Sequence, residues 1–146
     1  MAIASPTAEN IEMSERFTAE VFNERDLDAL DELCAADCVV HDVPGETEIK
    51  GIDAYRAYMK SVLDGFSDLK AETAFCFGQD DLVCTRTNFS GTHDGEFMGI
   101  PATDRSVEIS GTTIARYEDG KMVESWSNLD TLGLLTQVGV VDMPST

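Results

Sequence analysis

The sequence predicts an α+β fold in which three N-terminal helices and a short C-terminal helix pack on a cone-shaped, curved antiparallel sheet. In the first half of the chain, apolar residues recur at helical spacing, and from residue 69 they alternate with a period of two. An Asp-Gly pair at residues 119–120 marks a hairpin between two long strands. Helices followed by a run of strands are typical of α+β proteins. The length of 146 residues suits one domain over residues 1–146.

The predicted helices follow from stripes of apolar residues at steps of three and four positions. They are residues 7–23, 23–34, 50–66 and, as a terminal helical turn or two, 130–138. A short strand is expected at residues 38–43, because the turn residues Pro44 and Gly45 follow it. The helical layer is therefore interrupted once before the long strands begin.

The second half of the chain predicts two hairpins, over residues 69–93 and 105–129. Side chains alternate across a strand, so Trp126, Asn128 and Asp130 share one face of the last strand with Glu124. We expect this face to point into the cone, where the only tryptophan would form an apolar wall beside a carboxylate. Such internal apolar pockets are the usual binding sites of small ligands.

The charge of the chain is strongly negative. Asp and Glu number 28 against 10 Lys and Arg, which gives a formal net charge of −18. The acids are spread along the chain, so the surface should repel nucleic acid and anionic membranes. We interpret it as a solvated surface adapted to high salt. No apolar run is long enough to span a membrane and the N-terminus has no signal-peptide pattern, so a cytoplasmic location is expected.

The cysteines and the motif content predict neither a metal site nor a cofactor. Cys34 and Cys38 have a spacing that zinc could use, but no second pair follows them at metal spacing. We expect them, with Cys76 and Cys84, to be free thiols that act as small apolar residues. The sequence contains no nucleotide fingerprint, no GxSxG and no HExxH.

Asp130 has two interpretations at this stage. It precedes a short helical segment, where aspartate is a favoured N-cap. It could also be the acid or base of an active site in the cone. The two roles are compatible, because one carboxylate oxygen can cap the helix while the other faces the pocket.

Other candidate site residues are polar or aromatic side chains in strands, a helix and a loop. His41 is either a hydrogen-bonded core residue or a proton carrier in the pocket. Arg86 lies either on the solvent face of the sheet or beside a carboxylate such as Asp130 or Glu124. The glycine-rich loop after residue 90 favours a surface position for His93 over one at the pocket mouth. The expected substrate-binding set is Tyr58, Arg86, His93, Phe97, Trp126 and Asn128.

The C-terminal third of the chain resembles a known family. The segments GTHDGEFMGIPATD, DGK, ESW and DTLGLLTQVG are similar to those of the SnoaL-like polyketide cyclases, within the nuclear transport factor 2-like superfamily. Upstream, VVHDVPG and KGIDAYRAYM also match the pattern, so the resemblance covers nearly the whole chain. One departure is Asp104, which stands where the family usually has glycine.

The resemblance implies a cone-shaped α+β barrel that forms a homodimer through its sheet. It also implies an acid/base role for Asp130 in an intramolecular aldol reaction of a small apolar carbonyl compound, without a cofactor. His41, His93, Arg86 and Asn128 do not match catalytic residues by motif; they are expected to hydrogen-bond within the pocket, and we count His41 with Asp130 as catalytic.

Three alternatives to the cyclase remain open from the sequence. An epoxide hydrolase would need Asp130, Arg86 and another acid around one water. An isomerase of the ketosteroid isomerase type would use a similar carboxylate and apolar pocket. A non-catalytic ligand-binding domain would use Asp130 only as a helix cap.

The charge leads to a prediction about salt. Because repulsion among the acids is screened by ions, the melting temperature should rise from dilute buffer to molar KCl. Thermal unfolding followed by circular dichroism over a KCl series measures this. A melting temperature that stays flat or falls would contradict the high-salt interpretation.

Overall fold

The computed structural model describes residues 5–142. Its helical elements are α1 (Pro6–Arg16), a π-helical segment (Phe17–Asn23), a 3₁₀ turn (Leu27–Ala29), α2 (Leu30–Leu33), α3 (Ile52–Gly65) and α4 (Thr131–Gln137). Its strands are β1 (Cys34–Val43), β2 (Glu46–Lys50), β3 (Lys70–Gln79), β4 (Leu82–Thr92), β5 (Ser106–Glu118) and β6 (Lys121–Leu129). This arrangement of helices on a curved open sheet confirms the predicted α+β fold class.

The six strands form one sheet in the order β2-β1-β6-β5-β4-β3. All neighbours are antiparallel except β1 and β6, so the sheet is mixed where the sequence predicted an antiparallel one. The edge strand β2 was not predicted. Its sequence ETEIK buries only Ile49, so it lacks the apolar alternation that identifies a strand.

Helix α1 has the start and end signals that its sequence predicts. The Ser5 side chain accepts a hydrogen bond from the backbone N–H of Ala8 at 3.1 Å, and Pro6 occupies the first turn. At the other end, Arg16 pairs with Glu20 at 2.6 Å and with Glu32 at 3.0 Å. This pairing joins the π-helical segment to α2.

The second helix is shorter than predicted because the chain enters the sheet early. Cys34 already pairs with Met122 of β6, so β1 begins four residues before the predicted strand start at residue 38. Backbone hydrogen bonds to β6 take the place of a further helical turn.

The two hairpins form where the sequence predicted them. At the β5–β6 turn, Asp119 has φ 51° and Gly120 has φ 77°, the left-handed pair that a type I′ turn requires. At the β3–β4 turn, Asp80 has φ 55°. These turns set the register of the four long strands.

Register shifts bend the sheet around the helices. They lie in the pairings of β3 with β4, of β5 with β6 and of β1 with β6. The inner face packs against α1, the π-helical segment and α3 to form the main core, and Phe66, Phe97 and Val107 form a second cluster with Leu134 and Val138 of the C-terminal segment. Within residues 5–142, no helix is both long and apolar enough to cross a membrane.

A reciprocal pair of aspartates joins the end of α3 to the end of β4. Asp68 accepts hydrogen bonds from the Thr92 backbone N–H at 2.6 Å and from its hydroxyl at 2.8 Å. Asp94 accepts from the Ser67 backbone N–H at 2.9 Å and from its hydroxyl. These bonds hold the pKa of both carboxyl groups below the usual value, because they favour the ionised form.

The Asp68–Thr92 contact predicts an acid-dependent loss of stability. A carboxyl group whose pKa is lower in the folded state stabilises the fold above its unfolded pKa of about 3.9, and this contribution is lost as the pH falls through the folded value. The Asp68→Asn variant should therefore be less stable than the parent at pH 7, and the difference should shrink below about pH 4.

Urea unfolding of parent and variant at pH 7 and pH 3 measures this change. Asp81→Asn is the matched control, since it removes the same charge from an aspartate whose side chain makes no hydrogen bond to the described residues. Equal stability losses for both variants at pH 7 would contradict a stabilising role of the Asp68–Thr92 contact.

Candidate functional site

A cavity of about 160 Å³ lies between the inner face of the sheet and the helices. Apolar side chains form most of its lining, with aromatic residues prominent among them. These are Phe17, Phe22, Tyr55, Tyr58, Phe66, Phe89, Phe97 and Tyr117. Among the described residues, no Asp, Glu, Lys, Arg or His lines the cavity. A cavity of this size matches one that holds a benzene-sized molecule.

The cavity exists because the central strands contribute small side chains to the inner face. Thr113 and Ala115 of β5 and Ser125 and Ser127 of β6 leave space that larger residues at these positions would fill. The aromatic side chains across from them are too bulky to collapse into it. The combination of a small-residue sheet face and aromatic helices therefore keeps the cavity open.

Three tyrosines line the cavity as neutral hydroxyl groups. Burial raises the pKa of Tyr55, Tyr58 and Tyr117, so all three stay protonated at physiological pH. The Tyr58 hydroxyl donates to the carbonyl oxygen of Pro44 at 2.7 Å, which joins α3 to the β1–β2 turn. The protonated phenols can donate hydrogen bonds but cannot act as bases near pH 7.

Strand β6 presents the opposite face from the one the sequence predicted. Ser125, Ser127 and Leu129 line the cavity, so Trp126 and Asn128 lie on the outer face of the sheet. This corrects the expectation that the only tryptophan walls the pocket. The physical reason is the pairing of β6 with its neighbours: Ser127 lies opposite Thr113, and Trp126 stacks on His41 outside.

His41 belongs to an ionic group on the outer face. Its Nε2 lies 2.8 Å from Oε2 of Glu124, and its ring stacks on Trp126 with centroids 5.6 Å apart. Arg116 hydrogen-bonds the other oxygen of Glu124. The hydrogen bonds from His41 and then Arg116 lower the pKa of Glu124, so this carboxylate is ionised. The structure thus places the predicted catalytic histidine outside the cavity.

Arg86 also lies on the outer face. Its guanidinium donates to the Ser110 hydroxyl at 2.7 Å and to the Thr112 hydroxyl at 3.2 Å. Within residues 5–142, no ion pair joins Arg86 to Asp130. The arrangement that an epoxide hydrolase would need, with Asp130 and Arg86 around one water in the cavity, is therefore not formed.

His93 is buried in the β4–β5 connection, and this corrects the expectation of a surface loop residue. Only 1% of it is exposed, its Nδ1 lies 3.0 Å from the Thr103 hydroxyl, and its carbonyl accepts from the backbone N–H groups of Thr103 and Asp104. The ring packs on Phe66, a residue of the cavity lining. His93 therefore organises the loop that carries Phe97. Among the predicted substrate-binding residues, Tyr58 and Phe97 do line the cavity.

Asp130 is the N-cap of α4. Its Oδ1 accepts a hydrogen bond from the backbone N–H of Gly133 at 2.9 Å, and the side chain is exposed. Leu129, the preceding residue, and Leu134, four residues further along the chain, both line the cavity. The carboxylate itself lies in a polar groove on the outer side, lined also by Lys70, Glu72, Asn88, Glu108 and Ser110.

The outer groove and the cavity share part of their walls. Phe89 and Ser90 of β4 and Ile109 of β5 contribute to both. Asp130 is thus separated from the cavity by residues of these two strands and by its own neighbour Leu129. This wall is the structural feature that decides whether Asp130 can reach a ligand.

Sequence reasoning missed the hydroxyl-bearing side chains of the cavity. Thr85 and Thr87 on β4, Thr113 on β5, and Ser125 and Ser127 on β6 all line it. The signal was present as the alternating patterns VxTxT at residues 83–87 and SxSxL at residues 125–129. Alternation identifies two faces, but hydroxyl groups are common on a solvated face, so the pattern alone does not identify the inner face.

Comparisons with known proteins agree with this fold. A family model described as SnoaL-like polyketide cyclase matches residues 12–138. IdmH from Streptomyces antibioticus, assigned as a polyketide cyclase, is 31% identical over 90% of this chain and 99% of its own, with a TM-score of 0.75. AclR from Streptomyces galilaeus, assigned as a hydroxylase, is 27% identical over 95% and 86%, with a TM-score of 0.81.

A third solved structure supports the fold alone. It is a protein from Jannaschia sp. CCS1, assigned as a SnoaL-like polyketide cyclase, with 21% identity, 99% coverage of both chains and a TM-score of 0.85. No curated protein matches the chain.

Proposed function

The chain belongs to the SnoaL-like polyketide cyclase family, and we propose that it is a cofactor-independent aldol cyclase or lyase acting on a small apolar carbonyl compound in the interior cavity. The observation that carries this proposal is the cavity of about 160 Å³ with an uncharged, mostly apolar lining. Such a site favours a neutral organic ligand over water, because burying apolar surface is favourable. Family membership supplies the reaction class.

The proposed reaction uses Asp130 as the acid/base. Its carboxylate removes a proton from a carbon flanked by two carbonyl groups, which leaves an enolate and a protonated Asp130. The enolate carbon forms a bond to a second carbonyl carbon, whose oxygen takes the electron pair. Asp130 then returns the proton to this alkoxide, so the protein ends unchanged.

The proposal requires the Asp130 carboxylate to reach the cavity from its position in the outer groove. Its Oδ1 accepts from Gly133, and Oδ2 has no hydrogen-bond partner in the described part of the chain. The side chain would have to leave the cap and pass the wall formed by Phe89, Ser90 and Ile109. Binding of the substrate against this wall would complete the site.

A non-catalytic ligand-binding domain is the second candidate. The observation in its favour is the lining itself, which contains neither a carboxylate nor an imidazole among residues 5–142. In this case the cavity binds its ligand and Asp130 contributes only the helix cap. The isomerase alternative needs the same carboxylate in the cavity, so it depends on the same test of Asp130.

The acid/base role predicts that Asp130→Asn loses proton transfer but keeps the fold. The hydrogen–deuterium exchange rate at the carbon between the carbonyl groups of ethyl acetoacetate, followed by NMR in D₂O, should be raised by the parent. The variant should lose about 10²–10⁴-fold of this enhancement, because general-base catalysis is typically of that size.

Stability measurements test the helix-capping role of Asp130 separately. Asparagine caps helices about as well as aspartate, so Asp130→Asn should unfold at nearly the parent's urea midpoint, whereas Asp130→Ala should lose about 0.5–2 kcal/mol. If the Asp130→Asn variant accelerates the hydrogen–deuterium exchange of ethyl acetoacetate as much as the parent does, the acid/base role is rejected. No enhancement by the parent, together with ligand binding, would favour the non-catalytic domain.

We also propose that the protein is a homodimer through the outer face of the sheet. A row of side chains crosses five strands on this face: Phe77, Cys84, Ile114, Trp126 and His41. Phe77 is 57% exposed and stacks on the equally exposed Phe75, and Ile114 is 42% exposed. An exposed apolar area of this kind is typical of a protein interface.

The charge on this face supports a second copy as the partner. Each molecule carries a net charge of −18, which opposes association. On the outer face Arg116 and His41 lie close to Glu124 and Arg86 donates to Ser110, so positive charge is present there beside negative charge. Repulsion between two copies is therefore smaller here than over the acidic surface.

The interface predicts that Phe77→Asp dissociates the dimer. A charge buried at this exposed apolar position of the row should weaken association at least about 30-fold, the effect of losing 2 kcal/mol. Light scattering during size-exclusion chromatography measures the mass. Val140→Asp, at a position 51% exposed in the C-terminal segment, is the matched control and should stay dimeric. A monomeric parent at micromolar concentration would refute the proposal.

A further inference from the structure

One row of hydroxyl groups across three strands contributes to the polar part of the cavity lining. Thr85 of β4 lies opposite Thr113 of β5, and Thr113 lies opposite Ser127 of β6. The Thr113 and Ser127 hydroxyl oxygens are 2.9 Å apart, and Ser14 of α1 lies 2.8 Å from the Thr85 hydroxyl. Thr113 and Ser127 therefore pair with each other within the row, and Thr85 pairs with Ser14 of α1.

Two more hydroxyl groups flank this row and have no hydrogen-bond partner among the described residues. Ser125 is 4% exposed and Thr87 is 8% exposed, and neither hydroxyl makes a hydrogen bond to any residue from 5 to 142. Every fully enclosed side-chain nitrogen or oxygen in the described chain does have a partner. The Ser125 and Thr87 hydroxyls are therefore open to the cavity that both residues line.

Unpaired hydroxyls at these positions are costly for folding alone. Ser125 lies between Val40 of β1 and Ala115 of β5, in a setting where an apolar residue of the same size would pack equally well. Leaving a buried polar group without a hydrogen bond destabilises the folded state. A ligand oxygen that bonds Ser125 would remove this cost, whereas a purely apolar ligand would leave it.

The charge around the cavity restricts the ligand to a neutral molecule. No cationic side chain of the described chain lines the cavity, and the whole protein carries a net charge of −18. A carboxylate or phosphate would thus lose its hydration without gaining a counter-charge. The volume of about 160 Å³ limits the buried part of the ligand to about one ring.

We propose that Ser125 donates a hydrogen bond to the carbonyl oxygen of a neutral, single-ring ligand in this cavity, with the Thr113–Ser127 pair beside it as the adjoining polar surface. This inference rests on the proposed function only in taking the cavity as the ligand site. It does not depend on Asp130 or on turnover. It assigns the sheet a part in ligand selection.

Two ligands of the same shape test this proposal. Acetophenone has a carbonyl oxygen where α-methylstyrene has a methylene group, and benzoate adds a negative charge to the same ring. Isothermal titration calorimetry should give tighter binding of acetophenone than of α-methylstyrene to the parent and no measurable binding of benzoate. Ser125→Ala should weaken acetophenone about 3- to 10-fold, as expected for one neutral hydrogen bond, and should leave α-methylstyrene unchanged or bound more tightly.

The matched control is Ser110→Ala. Ser110 lies on the other face of the same sheet, where its hydroxyl accepts from Arg86, so this variant should bind both ligands like the parent. Circular dichroism and the melting temperature verify that both variants are folded. Serine-to-alanine changes add no atoms to the core, so misfolding from overpacking is avoided.

The outcomes separate this inference from the proposed function. Equal binding of acetophenone and α-methylstyrene, or equal losses of both in Ser125→Ala, would overturn the role of Ser125 and leave the cavity as the ligand site. Binding of neither ligand to the parent would overturn the cavity site and this inference together. Tight binding of benzoate would overturn the restriction to neutral ligands.

Discussion

The register of β4, β5 and β6 is the constraint on which the rest of the structure depends. It aligns Thr85, Thr113 and Ser127 on the inner face and, one residue along, Cys84, Ile114 and Trp126 on the outer face. A shift of one residue in any of these strands would exchange the two sets. The cavity would then be filled by large side chains, and hydroxyl groups would face solvent. The Asp-Gly turn at residues 119–120 sets the β5–β6 part of this register.

The same register separates two environments of opposite character. The inner face is uncharged, so any chemistry there depends on neutral hydrogen-bond donors or on a group that enters from outside. The outer face collects Arg86, Arg116, His41 and Glu124, where Arg116 and His41 bond Glu124 and Arg86 donates to the Ser110 hydroxyl. A chain with a net charge of −18 that placed these side chains in its cavity would bind ions or water there. Placing them on the outer face leaves the interior suited to an apolar molecule.

Local patterns predicted the elements well, because helices and hairpins depend on interactions between residues near in sequence. The α1 cap, the α3 stripe and the two hairpin turns are of this kind. The orientation of β6 was not predictable in the same way. Alternation separates Trp126 from Ser127, but the choice of the inner face depends on long-range partners such as His41, 85 residues earlier on a parallel strand.

The large side chain of Trp126 was a misleading guide to the inner face of β6, for a physical reason. Burying a tryptophan side chain usually lowers the free energy of the folded state, so the face of β6 that carries Trp126 was expected to point to the interior. The interior of this fold already receives aromatic rings from the helices, and serine on β6 is what leaves space for a ligand. The burial of His93 escaped prediction for a related reason: its hydrogen bonds go to Thr103 and to the loop backbone, and glycine-rich sequences are more often read as exposed.

The position of Asp130 brings the cap and the proposed chemistry into competition, and the magnitudes decide how they can coexist. Releasing an N-cap costs about 0.5–2 kcal/mol. General acid–base catalysis by 10²–10⁴-fold corresponds to about 2.7–5.5 kcal/mol of barrier. In the proposed reaction, the loss of the Gly133 hydrogen bond would therefore be smaller than the catalytic gain. The cap holds the carboxylate outside the cavity, and in the proposed reaction the binding energy of a substrate with an acidic carbon would draw it past the shared wall at Phe89, Ser90 and Ile109.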